Sequence, residues 1–287
     1  MIKVSYLVSY DYFMLLTSIE QLYDYVDKIV VAIDVDRKTW SGNTFEIPQS
    51  FFVEVRKFDV ENKIDFYFDV FYLPELTPME NESRERNMAL SKLGRGWKIQ
   101  LDVDEYLYEF KTVSMYLKKY WFLLLFPSLT PISLYGKLVT LYKEVQEGYL
   151  YVVNNEQFPF ITNQNTNTHT RRNTKIRNFQ TDINVIHQSW ARSENEILTK
   201  LNNWGHRDDF DTMKYFDFWK SINGFNYKNH KNIHPLIPEV WNELYFLKCS
   251  TIDEFIVKFS NKNRQVLIPM PIIKILKSAC KKLIGKK

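Results

Sequence analysis

The chain has 287 residues, 45% of them hydrophobic, enough to bury a substantial core in one large domain or in a domain with an appendage; this excludes a disordered chain. Its 38 basic and 34 acidic residues leave a formal charge of +4, too mild an excess to argue for a nucleic-acid partner. The two cysteines, Cys249 and Cys280, lack Cys-x-x-Cys spacing and indicate neither a disulfide framework nor a zinc knuckle.

The opening MIKVSYLVSYDYF has no apolar run of signal-peptide form and reads as a first strand over Lys3 to Ser9. Leu15, Ile19, Leu22 and Val26 recur at helical spacing, and Lys28 to Asp34 is a second, continuously apolar strand, so the start of the chain is a βαβ unit with both sheet faces buried. Phe51 to Phe58 (FFVEVRKF) alternates and predicts a third strand, and Glu80 to Ser91 a polar helix. Val113 to Tyr120 predicts a helix, Gly148 to Val153 a strand, and Ile161 to Asn178 a long polar loop of the kind that is functional or disordered. Val185 to His187 closes another apolar run. Ser193 and Glu196 then stand at capping-box spacing ahead of an apolar stripe, Ile197, Leu198, Leu201 and Trp204. Residues 1–210 are expected to form the main domain, and residues 211–287 a helical, loop-rich extension. No run approaches the roughly 20 apolar residues that span a bilayer, and the expectation is a cytoplasmic protein.

Trp97 to Tyr106 (WKIQLDVDEY) carries the chemistry. Trp97, Ile99 and Leu101 alternate with Lys98 and Gln100 as in a strand, which stops on Asp102 and Asp104 with Glu105 beside them. Neighbouring carboxylates repel unless a cation or ligand stabilises them. A hard cation such as Mg2+ takes one or two carboxylates plus phosphate oxygens, which this pair supplies if the substrate is a diphosphate. In open α/β sheets the carboxyl end of a strand is where ligands bind.

The sequence Glu85-Arg86-Asn87, helix, Gly96-Trp97, strand, Asp102 to Glu105 resembles the nucleotide-sugar-binding half of GT-A fold glycosyltransferases, particularly family 2, over roughly the first 110 residues. His187-Gln188-Ser189-Trp190-Ala191-Arg192, followed by Lys200 and Trp204-Gly205-His206, resembles the C-terminal segment of bacterial polysaccharide and lipopolysaccharide glycosyltransferases. The resemblance implies a Rossmann-like, mostly parallel sheet flanked by helices, a nucleoside-diphosphate sugar donor (UDP-sugar favoured), a divalent metal (Mn2+ or Mg2+), and a glycan or lipid-linked acceptor in surface polysaccharide synthesis. By the family pattern Ser9, Tyr10, Asp11 and Asp34 or Asp36 would meet the base and ribose. Asp104 would ligate the metal, Asp102 the ribose or a metal-bound water, and His187, ahead of His206, would complete the metal set. The chain departs from the pattern at Asp11, where Asn is usual, and at Asp36-Arg37-Lys38-Thr39, where Asp-Gly-Ser is common.

Arg86 offers a planar fork to a base carbonyl or a phosphate, or is a solvated helix charge; Arg84 points to another helix face. An inverting transfer needs a base for the acceptor hydroxyl, and Glu156, Asp182 and Glu194 are the candidates in the second half, although Glu194 also suits a helix first turn. Thr168 to Arg177 (THTRRNTKIR) is a basic loop that either closes over phosphates or is solvated. Pro271 to Lys287 is a basic amphipathic segment, suited to an anionic leaflet or to capping the domain. Two other readings remain open: a Mg2+-dependent nucleotidyltransferase, against which the 8 glycines and missing Walker sequence speak, and a non-catalytic nucleotide- or carbohydrate-binding domain.

Overall fold

A computed structural model describes residues 1–203 and 209–284, apart from the side chains of residues 154–156. β1 (Ile2–Leu7) and β2 (Lys28–Asp34) form the expected parallel pair, Lys3 to Leu7 standing against Lys28 to Ala32. The connection is a broken helix, α1 (Leu15–Glu20) between two 3-10 turns, and the stripe Leu15, Ile19, Leu22 and Val26 is buried along its whole length.

The predicted strand over Phe51–Phe58 is instead a helix, α2 (Gln49–Phe58). Phe51 and Val55, four residues apart, form its buried face, so FFVEVRKF satisfies the helical period as well as the alternating one; Pro48 at the N-cap sets the start. The third strand comes later, as β3 (Ile64–Asp69), parallel to β2. α3 (Pro78–Lys92) opens with a reciprocal capping box, Thr77 Oγ1 accepting from the Glu80 amide and the Glu80 carboxylate from the Thr77 amide. It delivers the chain into β4 (Trp97–Asp102), parallel to β1.

Alternate residues of this parallel half go to opposite faces. Val4, Tyr6, Val31 and Ile33 join a large core with α1, α2 and α4 (Phe110–Lys119), while Leu7, Val30 and Ala32 meet Ala89, Leu90 and Leu93 around α3. Covering both faces is what an uninterrupted apolar strand requires.

The second half adds β5 (Glu105–Tyr106), β6 (Ile132–Val145), β7 (Gly148–Thr162), β8 (Arg177–His187) and β9 (Tyr245–Lys248). The strands lie in the order β3-β2-β1-β4-β7-β6-β8-β5, with β9 on β7. The α/β class with a central sheet flanked by helices is therefore as expected, parallel through the first four strands and mixed beyond. α5 (Glu194–Asn203), α6 (Thr212–Ser221) and the turn at Pro238–Trp241 pack on β6 and β7 through Tyr142, Leu150, Trp190, Trp219 and Trp241. α7 (Ile252–Lys262) covers β5 and β6, and α8 (Ile272–Leu283) sets Ile275 into the large core. No helix among the described residues is long and apolar enough to cross a membrane.

One detail of register positions the site. β4 meets β7 only at Lys98↔Thr162 and Ile99↔Ile161, so its carboxyl end is released from β7 and borders open space.

Candidate functional site

A cleft of about 610 Å3 opens where β1, β2 and β4 end. Ser9, Tyr10, Asp34, Asp102 and Asp104 reach its wall from the strands, Glu85 and Arg86 from α3, and His187, Lys200 and Trp241 from the second half of the chain. This is the carboxyl edge of the parallel strands, as the sequence predicts.

His187 arrives there by strand pairing. The β5–β8 ladder sets Glu105 opposite His187, and the Gln188 amide donates to the Asp104 carbonyl at 2.8 Å. The imidazole Nε2 consequently lies 3.4 Å from Asp104 Oδ2, bringing together two residues 83 positions apart.

The acidic cluster is neutralised by guanidinium groups of the chain itself. Arg86 Nη2 bonds both Asp102 oxygens at 2.9 and 3.1 Å while its Nε holds Glu82 at 2.8 Å. Arg171 bonds Asp102 at 2.5 Å and Glu105 at 2.8 Å. Arg192 bonds Asp104 at 2.5 Å and Asp11 at 3.4 Å. Burial works to raise the carboxyl pKa values, but Arg171 and Arg86 hold Asp102 below the ordinary range, and His187 and Arg192 hold Asp104 well below it. Glu105 and Asp11 are pushed up, chiefly by burial. Lys200, whose Nζ donates to Ser189 Oγ at 2.9 Å, is pushed down to about 8 by burial and by Arg192.

Asp34 has a different duty. Its Oδ1 accepts from the Asp36 and Lys38 amides and its Oδ2 from the Phe71 and Tyr72 amides, at 2.8–3.0 Å, so the carboxylate splints two loops at the cleft floor. Asp36 is exposed and off the cleft wall. Asp182 pairs with Lys137 at 2.6 Å, and Glu194 with Lys220 at 3.2 Å; neither lines the cleft. The Glu156 side chain and His206 lie outside the described residues. Arg84 donates to the Val70 and Phe71 carbonyls, and it is Arg86 that lines the cleft.

The polar Asn/Thr/Arg segment after β7 is ordered, because its backbone groups find side-chain partners. Asn167 exchanges hydrogen bonds with Asn87 and donates to Gln100, and the Thr170 amide donates to Ser83. This clamps the loop to α3, feeding Arg171 to the acidic cluster and Arg172 to the cleft wall. Sequence reading singled out this loop for its charge; what it did not find was the pairing of Arg171 with Asp102 and Glu105, which no local pattern encodes. Glu85, which the sequence sets only within the Glu85-Arg86-Asn87 motif, has a place of its own: its Oε2 accepts from Trp40 Nε1 at 2.6 Å, and burial pushes its carboxyl up to about 8.

No cluster of three or more His, Cys, Asp or Glu side chains able to hold a metal ion occurs among the described residues. The donor set nevertheless fits a site with two protein ligands: Asp104 and His187 face one another at the cleft, Asp104 Oδ2 being taken by Arg192 while Oδ1 is left for a cation, and a diphosphate would supply further oxygens. Asp102 fits less well, since both its oxygens are taken by arginine.

No family model matches the chain, and no curated protein matches it. Similar solved structures include TarS 1-349 of S. aureus, at 15% identity and a TM-score of 0.30 over 51% of this chain and 41% of that one. HddC from Yersinia pseudotuberculosis is similar at 13% identity and a TM-score of 0.28, over 57% and 74% respectively. The chain thus spans less than half the length of the TarS structure.

Proposed function

We propose that the chain is a transferase that uses a nucleotide-sugar donor, with its diphosphate seated in the cleft between Asp104, His187, Arg86 and Lys200. The observation that carries this reading is Arg86: it is buried, lines the cleft, and keeps Nη1 without a hydrogen-bond partner among the described residues. A buried guanidinium nitrogen left unpaired is costly, and an anionic ligand that accepts from it removes the cost. Lys38, Arg172 and Lys200 add positive charge to the same walls.

In this reading Asp104 and His187 would hold a divalent metal, Mn2+ or Mg2+, which when bound supplies Lewis-acid stabilisation of the leaving diphosphate. Arg86 and Lys200 donate to phosphate oxygens as negative charge develops, and Ser9 and Tyr10 border the nucleoside. Thr140 Oγ1 and Trp241 Nε1, both buried and unpartnered among the described residues, belong to cleft-lining residues and suit the hydroxyls of a sugar. Glu85 also lines the cleft, and its carboxyl, pushed up to about 8 by burial, is available to donate a hydrogen bond to a bound ligand. The GT-A family 2 resemblance refines the reading to a UDP-sugar donor and a glycan acceptor, free or lipid-linked, with residues 1–210 forming the catalytic unit.

Calorimetric titration of UDP with and without Mn2+ into the parent, Asp104→Asn and His187→Ala tests the assignment. Mn2+-dependent binding that both substitutions weaken supports it, whereas equal, metal-independent binding in all three overturns it. Donor hydrolysis across UDP-, GDP- and CMP-sugars identifies the nucleotide.

A further inference from the structure

α8 has three sectors. Ile275 and Ala279, four residues apart, are buried against the domain. Ile273, Leu276, Cys280 and Leu283, at the i, i+3, i+7, i+10 spacing of one helical stripe, are exposed, Ile273 to 72% and Leu283 to 68%. Lys274, Lys277 and Lys281 occupy the remaining arc and are exposed too. A solubilising helix would not present a second apolar stripe to water beside the one it buries.

The neighbouring surface repeats the pattern. Tyr120 and Leu123 share the core with Met270 and Ile275, and the link is tightened by bonds from the Met270 amide to Tyr120 Oη and from Tyr116 Oη to the Ile268 carbonyl. Immediately next in sequence, Trp121 and Phe126 are exposed to 59% and 66%. Lys111, Lys118 and Lys119 are exposed on α4. Neither 110–130 nor 262–284 contains an acidic residue.

From this we infer that α8 together with the Trp121–Phe126 turn forms a docking face for an anionic lipid bilayer, the helix lying in the interfacial plane. Exposed aliphatic and aromatic side chains supply insertion and the unopposed lysines supply attraction to acidic headgroups; a partner that is merely apolar does not account for the one-signed charge. The face sits far from the cleft. Arg177, at the start of β8, bonds the Lys274 carbonyl at 3.5 Å, while His187 ends the same strand, roughly 30 Å away at the rise of an extended chain. A docked molecule therefore keeps its cleft in the aqueous phase. The inference does not depend on the chemistry proposed for that cleft.

Flotation of the full chain with neutral phosphatidylcholine vesicles and with mixed phosphatidylcholine–phosphatidylglycerol vesicles, whose anionic headgroups give a negative surface potential, tests it. The parent should float with the anionic vesicles only, and lose binding in high salt. Lys274→Gln with Lys277→Gln should lower the partition coefficient roughly 25-fold, at about fivefold per lysine. Ile273→Asp with Leu276→Asp, at exposed positions, should leave the melting temperature unchanged and abolish flotation. Absence of the parent from the anionic vesicles, or equal flotation of the Asp variant, overturns the inference. So does a parent that is a dimer in solution and becomes monomeric in the Asp variant, since a second copy would then be what covers the face.

Discussion

Arg192 Nη2 lies 2.5 Å from Asp104 Oδ2, and the same guanidinium extends to Asp11. An acidic pair considered alone suggests that deleting one carboxylate relieves repulsion. With Arg192 buried against Asp104, the sign reverses, because the guanidinium would lose its main counter-charge in a desolvated place. Asp104→Asn should therefore destabilise the fold by about 3 kcal/mol at pH 7, the low end for breaking a buried pair, since Asp11 remains. Asp104 is held below its ordinary pKa, so this contribution is present above the unfolded-state value of about 4 and is lost as pH falls through the folded value. Urea unfolding at pH 7 checks it, and Asp104→Asn/Arg192→Met should regain part of the loss. A single variant as stable as the parent would refute the pairing as the source of neutrality.

Arg171 makes a second, separable prediction. It joins the loop after β7 to Asp102 and Glu105, with its guanidinium also 5.3 Å from the Phe158 ring centroid. Arg171→Ala should cost about 2 kcal/mol and, more tellingly, speed amide exchange over 166–174 while leaving β1 and β2 protected. If exchange in the loop were unchanged, the Asn87, Ser83 and Gln100 bonds would suffice to hold it.

Glu85 should reveal itself through pH. Its folded pKa of about 8 stands above the ordinary value of 4.5, so the folded protein holds more protons than the unfolded chain between those values. Stability from this group is complete below about 4.5 and falls as pH rises toward 8, by a total on the order of a few kcal/mol. Glu85→Gln keeps an oxygen to accept from Trp40 and cannot ionise. It should melt higher than the parent at pH 8, with the difference vanishing near pH 5. A difference in melting temperature independent of pH would contradict the buried, protonated carboxyl.

What could be read in advance followed local periodicity. The βαβ start, the helix ahead of the Asp-x-Asp strand, and the Ser193–Glu196 cap, which the structure closes with Glu196 accepting from the Ser193 amide at 2.9 Å, are each specified by residues within a few positions of one another. FFVEVRKF misled because eight residues fit two periods, and Pro48 upstream, not the pattern, decides for helix. β6 escaped notice although a tight turn joins it to β7, and β8 was legible only over Val185 to His187, its partners β6 and β5 being distant in sequence. For the same reason Asp102 and Asp104 were legible as a site, and Arg86 as a candidate beside them, but the pairing of the aspartates with three arginines was not: Arg86, Arg171 and Arg192 come from a helix, a loop and the segment after β8.

Gly148 tests how firmly the C-terminal segment is built into the sheet. It follows the tight β6–β7 turn and pairs with Lys248 on β9. A Cβ placed there would overlap the Leu247 carbonyl oxygen and stand 3.0 Å from the Cys249 amide nitrogen, at a φ of +156°. Both are backbone atoms, so no rotamer change relieves the overlap; the strand must move. Gly148→Ala should therefore cost about 3 kcal/mol, in the class of overpacking against immovable neighbours. The damage should be local first: amides of Tyr245 to Lys248 should exchange faster, since among the described residues β9 pairs with the sheet through β7, whereas β1 and β2, at the far side of the sheet, should keep their protection. An alanine variant with unchanged melting temperature and unchanged exchange in β9 would mean that the β7–β9 ladder contributes nothing to the fold.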